Sequence, residues 1–288
     1  MTFLDEFRPE QFTLTVESPT FWRVNFTNPP VNVIGPKMLK ELKELLTELE
    51  TDPGVNVVVF ESSNPDYFLA HYDLVANPAD AEALPSPTGF AAWPDVLVRM
   101  SKLPAVTVSA IRGRARGAGS EFVLATDIRF ASREKAILGQ MEVGFSAVAG
   151  GGAQARLSPL VGRARSFEIM LGGLDFDGDL AERYGYVNRA IPDAEFDEFV
   201  TSWAVRVSNW DPRVIRELKT AINATTLPAD ALFPPQSDAF WAAAAHPTFQ
   251  AVKNALVEQG LQTESDVELN LGERIEGVAA AATKSLNS

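Results

Sequence analysis

A chain of 288 residues, 46% hydrophobic and 22% charged, can bury a sizeable core, which excludes a disordered or collagen-like protein. Its 38 acidic against 25 basic residues leave a net charge of −13, a field that repels a nucleic-acid backbone yet still lets a few basic side chains and amide groups hold a small phosphorylated ligand. With no cysteine there is no disulfide framework, thiolate nucleophile or Cys-based zinc site, and only His71 and His246 are on hand for imidazole chemistry.

The opening MTFLDEFRPE places Asp5, Glu6 and Glu10 where a signal peptide needs basic and then apolar residues, and no run approaches ~18 apolar residues. A soluble cytoplasmic protein that engages neither membrane nor nucleic acid is expected. Residues 12–16 and 21–26 read as two short strands of an opening hairpin. Gly35 and Pro36 then start a helix. Its Met38, Leu39, Leu42, Leu45, Leu46 and Leu49 recur with the spacing of one buried face, while Lys40, Glu41, Lys43 and Glu44 face water. Residues 55–60 read as a buried strand, and 62–86 as a long functional loop or lid. Helical spacing over 90–100 ends at Pro104, and residues 105–111 (AVTVSAI) form another strand-like run.

Gly113, Gly117 and Gly119 lead into a helix over 120–126, and a strand follows at 128–131. This strand–helix–strand rhythm implies crossover units and an α/β core with parallel pairing. Gly150, Gly151 and Gly152 precede helical sequence to about Gly173, and residues 186–191 form a last strand. From Phe196 the pattern is helical, punctuated by Pro212, Pro228, Pro234, Pro235 and Pro247, with His246 a helix interruption. A boundary near residue 205 divides a core, 1–205, from a helical C-terminal region, 206–288. No fixed-period repeat is visible.

Residues 111–127, IRGRARGAGSEFVLATD, carry the most chemistry. Glycines between a buried strand and a helix let the backbone turn sharply and present N–H groups, and the helix N-terminus adds a positive dipole suited to an oxyanion. Glu121 sits in the first helical turn beside Phe122, Val123, Leu124 and Ala125, surroundings of low dielectric that raise a carboxyl pKa. The plainer reading is an acid satisfying the helix N-terminus. Glu142, in GQMEVGF, follows 21 residues later, a spacing that lets one helix and one strand return the chain to the same place. Alone it reads as a surface loop residue; two carboxylates in one apolar pocket can divide proton transfers between them. Arg112, Arg114 and Arg116 read either as ligand contacts or as surface or interface arginines pairing with the acidic surplus. Trp93, Phe145, Phe240 and Trp241 can line an apolar pocket but fit ordinary core positions better.

Residues 111–157 resemble the enoyl-CoA hydratase/isomerase, or crotonase, family. The resemblance rests on Gly113, Gly117, Gly119, Glu121, Asp127, Gly139, Gln140, Glu142, the Gly150, Gly151 and Gly152 run, Gln154, Arg156 and Leu157. The opening strands, Asn32, the strand at 55–60 and residues 68–74 follow the family's order too, so the similarity spans roughly residues 12–220. It implies a spiral α/β core of ββα units with a helical C-terminal region, assembled as a trimer or hexamer. It also implies an acyl-CoA thioester substrate, coenzyme A only as part of that substrate, and no metal. By motif position the thioester carbonyl would be polarised by the amides of Tyr72 in FLAHYDL and Ala118 in GAGSE. Ala70, His71, Asp73 and Gly117 would lie beside the ligand, with Glu121 and Glu142 as the acid/base pair.

Hydration of a 2-enoyl-CoA is the expected reaction; double-bond isomerisation, hydrolysis or a catalytically silent binding subunit are the alternatives. The family's usual Ala-Gly-x-Asp is here Ala70-His71-Tyr72-Asp73, so an imidazole replaces a Gly. His71 is expected to shape or occlude part of the ligand site, the other reading being a third acid/base group.

Overall fold

The computed structural model describes residues 3–286. Strands β1 (Phe12–Ser18) and β2 (Phe21–Phe26) form the expected antiparallel hairpin. Helix Pro36–Thr51 carries the chain across the sheet so that β3 (Val57–Ser62) pairs parallel with β2. The short β4 (Tyr67–Leu69) follows, then β5 (Val106–Ile111), β6 (Arg114–Arg116), β7 (Ile128–Ser132), β8 (Ile137–Gly139), β9 (Phe176–Asp177) and β10 (Arg189–Ile191). Six strands make one sheet in the order β1-β2-β3-β5-β7-β10, and four make a second in the order β4-β6-β8-β9.

The two orders explain each other. Three successive turns of chain each give a long strand to the first sheet and a short strand to the second: β3 then β4, β5 then β6, β7 then β8. These strands pair parallel within their sheets, so the path is the expected spiral of ββα units. The repeat is one of topology. Insertions of unequal length, above all residues 70–105 between β4 and β5, hide any fixed period in the sequence. Within the stretch expected as a loop, 62–86, the structure places β4 and a short helix, Pro78–Glu82.

The main core lies between the sheets and helices Pro36–Thr51, Ala92–Lys102 and Ala118–Ala125. The outer face of the larger sheet is closed by helix Asp193–Ser208, through Phe196, Val200 and Ala204. The expected division at 205 falls inside that helix. Helices Pro212–Thr226, Phe233–Ala244, Pro247–Glu258 and Leu271–Leu286 make the helical C-terminal region, and the last three meet Met141 and Phe145 in a separate cluster. His246 ends one helix and starts the next, its Nδ1 accepting from Thr248 N at 3.2 Å. Among the described residues, no helix is long and apolar enough to cross a membrane.

Candidate active site

Glu121 is presented by a helix that could start in only one way. Gly117, at φ +50, turns the chain out of β6 into helix Ala118–Ala125, every residue of which is buried. A Cβ on Gly119 would meet the Leu69 carbonyl oxygen at 1.9 Å, so only glycine lets the helix lie against β4. Phe122 anchors the helix edge-on to Phe26 and Phe60, with ring centroids 5.5 and 5.1 Å away. The Glu121 carboxylate, buried at 3% exposure, is held by three donors. Oε1 accepts from Gly151 N at 2.6 Å and Ala153 N at 3.3 Å, while Oε2 accepts from the Trp93 indole Nε1 at 2.9 Å. Burial pushes its pKa up, partly opposed by these donors and by the charge of Arg156.

Glu142 opens the single-turn helix Glu142–Phe145 just after β8. Burial pushes its carboxyl up to about 8, and the neighbouring Glu121 pushes in the same direction. Behind it runs a buried polar chain. With the Gln140 amide oriented to satisfy both neighbours, its nitrogen donates to the Glu142 carboxylate oxygens at 3.2 and 3.1 Å and its oxygen accepts from Ser120 Oγ at 2.9 Å. Ser120 in turn hydrogen-bonds the fully buried Tyr186 hydroxyl.

Both carboxylates face one cavity of about 170 Å³, whose lining also includes His71, Tyr72, Gly117 and Ala118. Among the described residues, no acceptor takes up the N–H of Tyr72 or of Ala118. The first is held in place because His71 O accepts from Ile34 N at 2.9 Å and Asp73 N donates to Ile34 O at 3.0 Å. The second begins a helix, where the amides have no intrahelical partner. Asn32 secures the approach: its side-chain nitrogen donates to Ser62 Oγ and to the carbonyls of Tyr67 and Phe68.

Ala70 and Asp73, expected beside the ligand, lie off this cavity. Ala70 is buried with Val31 and Tyr67 in a small apolar cluster, and its N donates to Asn32 O. The Asp73 carboxylate is taken up by the N–H groups of Val75 and Ala76 and by Gln262. The His71 ring, on the cavity edge, is engaged at both nitrogens: Nδ1 donates to Tyr72 O at 2.7 Å and Nε2 meets Glu268 Oε2 at 3.1 Å. The three arginines are no part of the lining. Arg112 pairs with Asp193 and Asp197, Arg114 donates to Leu269 O, and Arg116, 1% exposed, is locked to Asp175 and to the carbonyls of Glu268 and Leu269.

The aromatics judged better suited to the core do line the cavity: Trp93, Phe145, Phe240 and Trp241 form its walls with Leu74, Met141 and Phe249. No periodicity distinguishes a cavity wall from a core position, since both are apolar on the same helix face. Trp93 is the residue that sequence reasoning missed most, because its role is a single N–H aimed at Glu121. Among the described residues, no group of three or more His, Asp or Glu side chains is arranged to hold a metal ion.

Two facing carboxylates and two unpaired amides around an apolar cavity agree with the comparison to known proteins. Residues 18–256 match the family model described as enoyl-CoA hydratase/isomerase. The chain belongs to this family of enzymes. The Arabidopsis thaliana protein named "Probable enoyl-CoA hydratase 2, mitochondrial" is 30% identical over 205 residues, 69% of this chain and 66%, just under two thirds, of that protein. The Clostridium acetobutylicum "Short-chain-enoyl-CoA hydratase" is 28% identical over 193 residues, 67% of this chain and 73% of that protein. The solved structure described as "Crystal structure of a putative enoyl-CoA hydratase from Streptomyces avermitilis" is 43% identical, has a TM-score of 0.88 and covers 92% of this chain and 96% of that one. Similarity to crotonase-fold structures agrees with the spiral core and the helical C-terminal region seen here.

Proposed function

We propose that this enzyme adds water reversibly across the double bond of a 2-enoyl-CoA thioester. The observation that carries the reading is the placement of Glu121 and Glu142 on one apolar cavity beside two amides that lack an internal acceptor. The thioester oxygen accepts from the N–H groups of Tyr72 and Ala118, which favour the negative charge that builds there as the enolate forms. Water sits between the carboxylates. Glu121, held by three donors that favour its anion, takes a proton from the water as its oxygen bonds to the β-carbon.

Glu142, pushed up to about 8 and so protonated at neutral pH, delivers its proton to the α-carbon and collapses the enolate to the 3-hydroxyacyl thioester. One proton returns from Glu121 to Glu142 through solvent to reset the pair. The apolar walls formed by Trp93, Phe145, Phe240 and Trp241 receive the acyl chain and keep bulk water out. The enzyme is further proposed to work in the cytoplasm as a trimer or hexamer, with coenzyme A entering only as part of the substrate.

The test is steady-state kinetics on a short trans-2-enoyl-CoA with Glu121→Gln, Glu142→Gln and the double variant. Each single change lowers kcat by about 10²-fold or more, the scale of a positioned acid or base. The double loses less than the product of the two, because the groups act as a unit. A single variant with near-normal hydration would remove the two-carboxylate reading.

A further inference from the structure

Both ring nitrogens of His71 are engaged within the protein. A carbonyl oxygen only accepts, so the 2.7 Å contact between Nδ1 and Tyr72 O puts a proton on Nδ1. Nε2 lies 3.1 Å from Glu268 Oε2, an oxygen that also accepts from Gln262 N at 2.7 Å, while Oε1 is buried without a partner. Both contacts suit an imidazolium, which donates from each ring nitrogen. Burial alone disfavours that charge, but the charge and hydrogen bond of Glu268 outweigh it and raise the His71 pKa. The same pair holds the Glu268 carboxyl below its ordinary value against its burial. Arg116 and Glu142 are the other charged groups whose fields bear on this imidazole and its pair, and Arg116 is tied to Asp175.

Glu268 belongs to a C-terminal segment stitched to the cavity edge at several points. Gln262, at φ +66, accepts from Leu74 N at 2.7 Å and donates to Asp73 Oδ1 at 2.8 Å. Arg116 donates to the carbonyls of Glu268 and Leu269. This segment lies beyond residues 18–256, the part that matches the family. The residue it grips, His71, stands where the family pattern has a Gly.

We propose that His71 and Glu268 form a buried ion pair through which the C-terminal segment fixes the Tyr72 peptide, so that both are positioning residues for the Tyr72 amide. The inference rests on the reading of that amide as a donor to the thioester oxygen. The imidazolium binds the carbonyl at one end of residue Tyr72 while Ile34 N binds the carbonyl of His71 at the other, so the N–H between them is aimed from both sides. A Gly at position 71 carries no such brace. Losing His71 leaves the Glu268 carboxylate buried without its counter-ion, whereas losing Glu268 lets the imidazole shed a proton and its grip on the Tyr72 carbonyl weaken.

Imidazole and amide NMR on the full chain tests the brace without any turnover. Only two histidines contribute, and His71→Gln assigns the His71 signal by its loss. At pH 7.5, about one unit above an ordinary histidine pKa, both His71 nitrogens carry protons in the wild type and one is lost in Glu268→Gln. Deuterium exchange of the Ile34 and Asp73 amides, whose hydrogen bonds hold the Tyr72 peptide, quickens in Glu268→Gln by about tenfold or more. On a short trans-2-enoyl-CoA, His71→Gln and Glu268→Gln each lower kcat by about tenfold or more with KM within about twofold, and the double variant is no worse than either single. A neutral His71 in the wild type, unchanged Ile34 and Asp73 exchange, or losses that multiply in the double variant would overturn the proposal. A fall in melting temperature with kcat intact would overturn it as well. A wild type that hydrates no enoyl thioester refutes the proposed function instead, and the ring and exchange data still decide the brace.

Discussion

Trp93→Phe removes one hydrogen bond from Glu121 and trims one wall of the cavity. The indole Nε1 donates to Glu121 Oε2 at 2.9 Å, with the two residues 6% and 3% exposed, and a mobile water in the cavity is a poorer donor than the fixed indole. A hydrogen bond to a charged group contributes about 1.5–3 kcal/mol, which is about 10- to 150-fold in an equilibrium or rate. The two remaining donors, Gly151 N and Ala153 N, both serve Oε1, so Oε2 is left bare. The sign follows from burial: Glu121 already has a raised pKa, and a weaker hold on its anion raises it further.

Since the base works ionised, the acidic limb of the kcat profile moves to higher pH. Activity lost at neutral pH is partly regained above the displaced limb. The assay is hydration of a short trans-2-enoyl-CoA followed from about pH 5 to 9, with melting temperature measured alongside. An unmoved limb and kcat within about twofold of wild type, whatever the melting temperature does, would refute the role given to the indole.

Glu142→Gln bears on stability as well as rate. The Glu142 carboxyl is pushed up to about 8 in the folded chain, so between its ordinary value and about 8 the unfolded chain releases a proton that the folded chain keeps. Rising pH through that window therefore destabilises the wild type. The Gln variant escapes this, and its melting-temperature advantage is absent at pH 4 and grows toward pH 8; equal melting temperatures at pH 8 would contradict the shift. Gly119→Ala drives a methyl against the Leu69 carbonyl oxygen, where the backbone leaves a Cβ 1.9 Å. It is expected to cost about 3 kcal/mol or more, read as a lower urea midpoint or loss of soluble protein.

The hairpin, the leucine-rich helix and the strands at 57–62 and 106–111 were legible from their apolar patterns, but Glu41 and Lys43, expected in water on that helix, are buried, Glu41 accepting from Glu10 N and Gln11 N and Lys43 paired with Asp95. The glycine run before Glu121 was legible for another reason: a turn with φ +50 and a backbone contact as close as that at Gly119 leave a compositional mark. The second sheet left none, since its strands are two or three residues long. The cavity walls were hidden because a wall and a core position demand the same side chains. His71 stood out as a departure from a family pattern, yet its partner is 197 residues away, and no local spacing links an imidazole to a carboxylate over that distance. Neither was the chain from Tyr186 through Ser120 and Gln140 to Glu142 visible, being assembled from three separate turns of the spiral.

Whether water oxygen enters the product tests the central claim most directly. The wild-type enzyme is incubated with a short trans-2-enoyl-CoA in water enriched in oxygen-18, and the thioester products are weighed by mass spectrometry. The account predicts a 3-hydroxyacyl-CoA carrying one labelled oxygen, its formation slowed by about 10²-fold or more in both Glu121→Gln and Glu142→Gln. A product of unchanged mass with a shifted double bond, or label found only in a free acid released from coenzyme A, would contradict it.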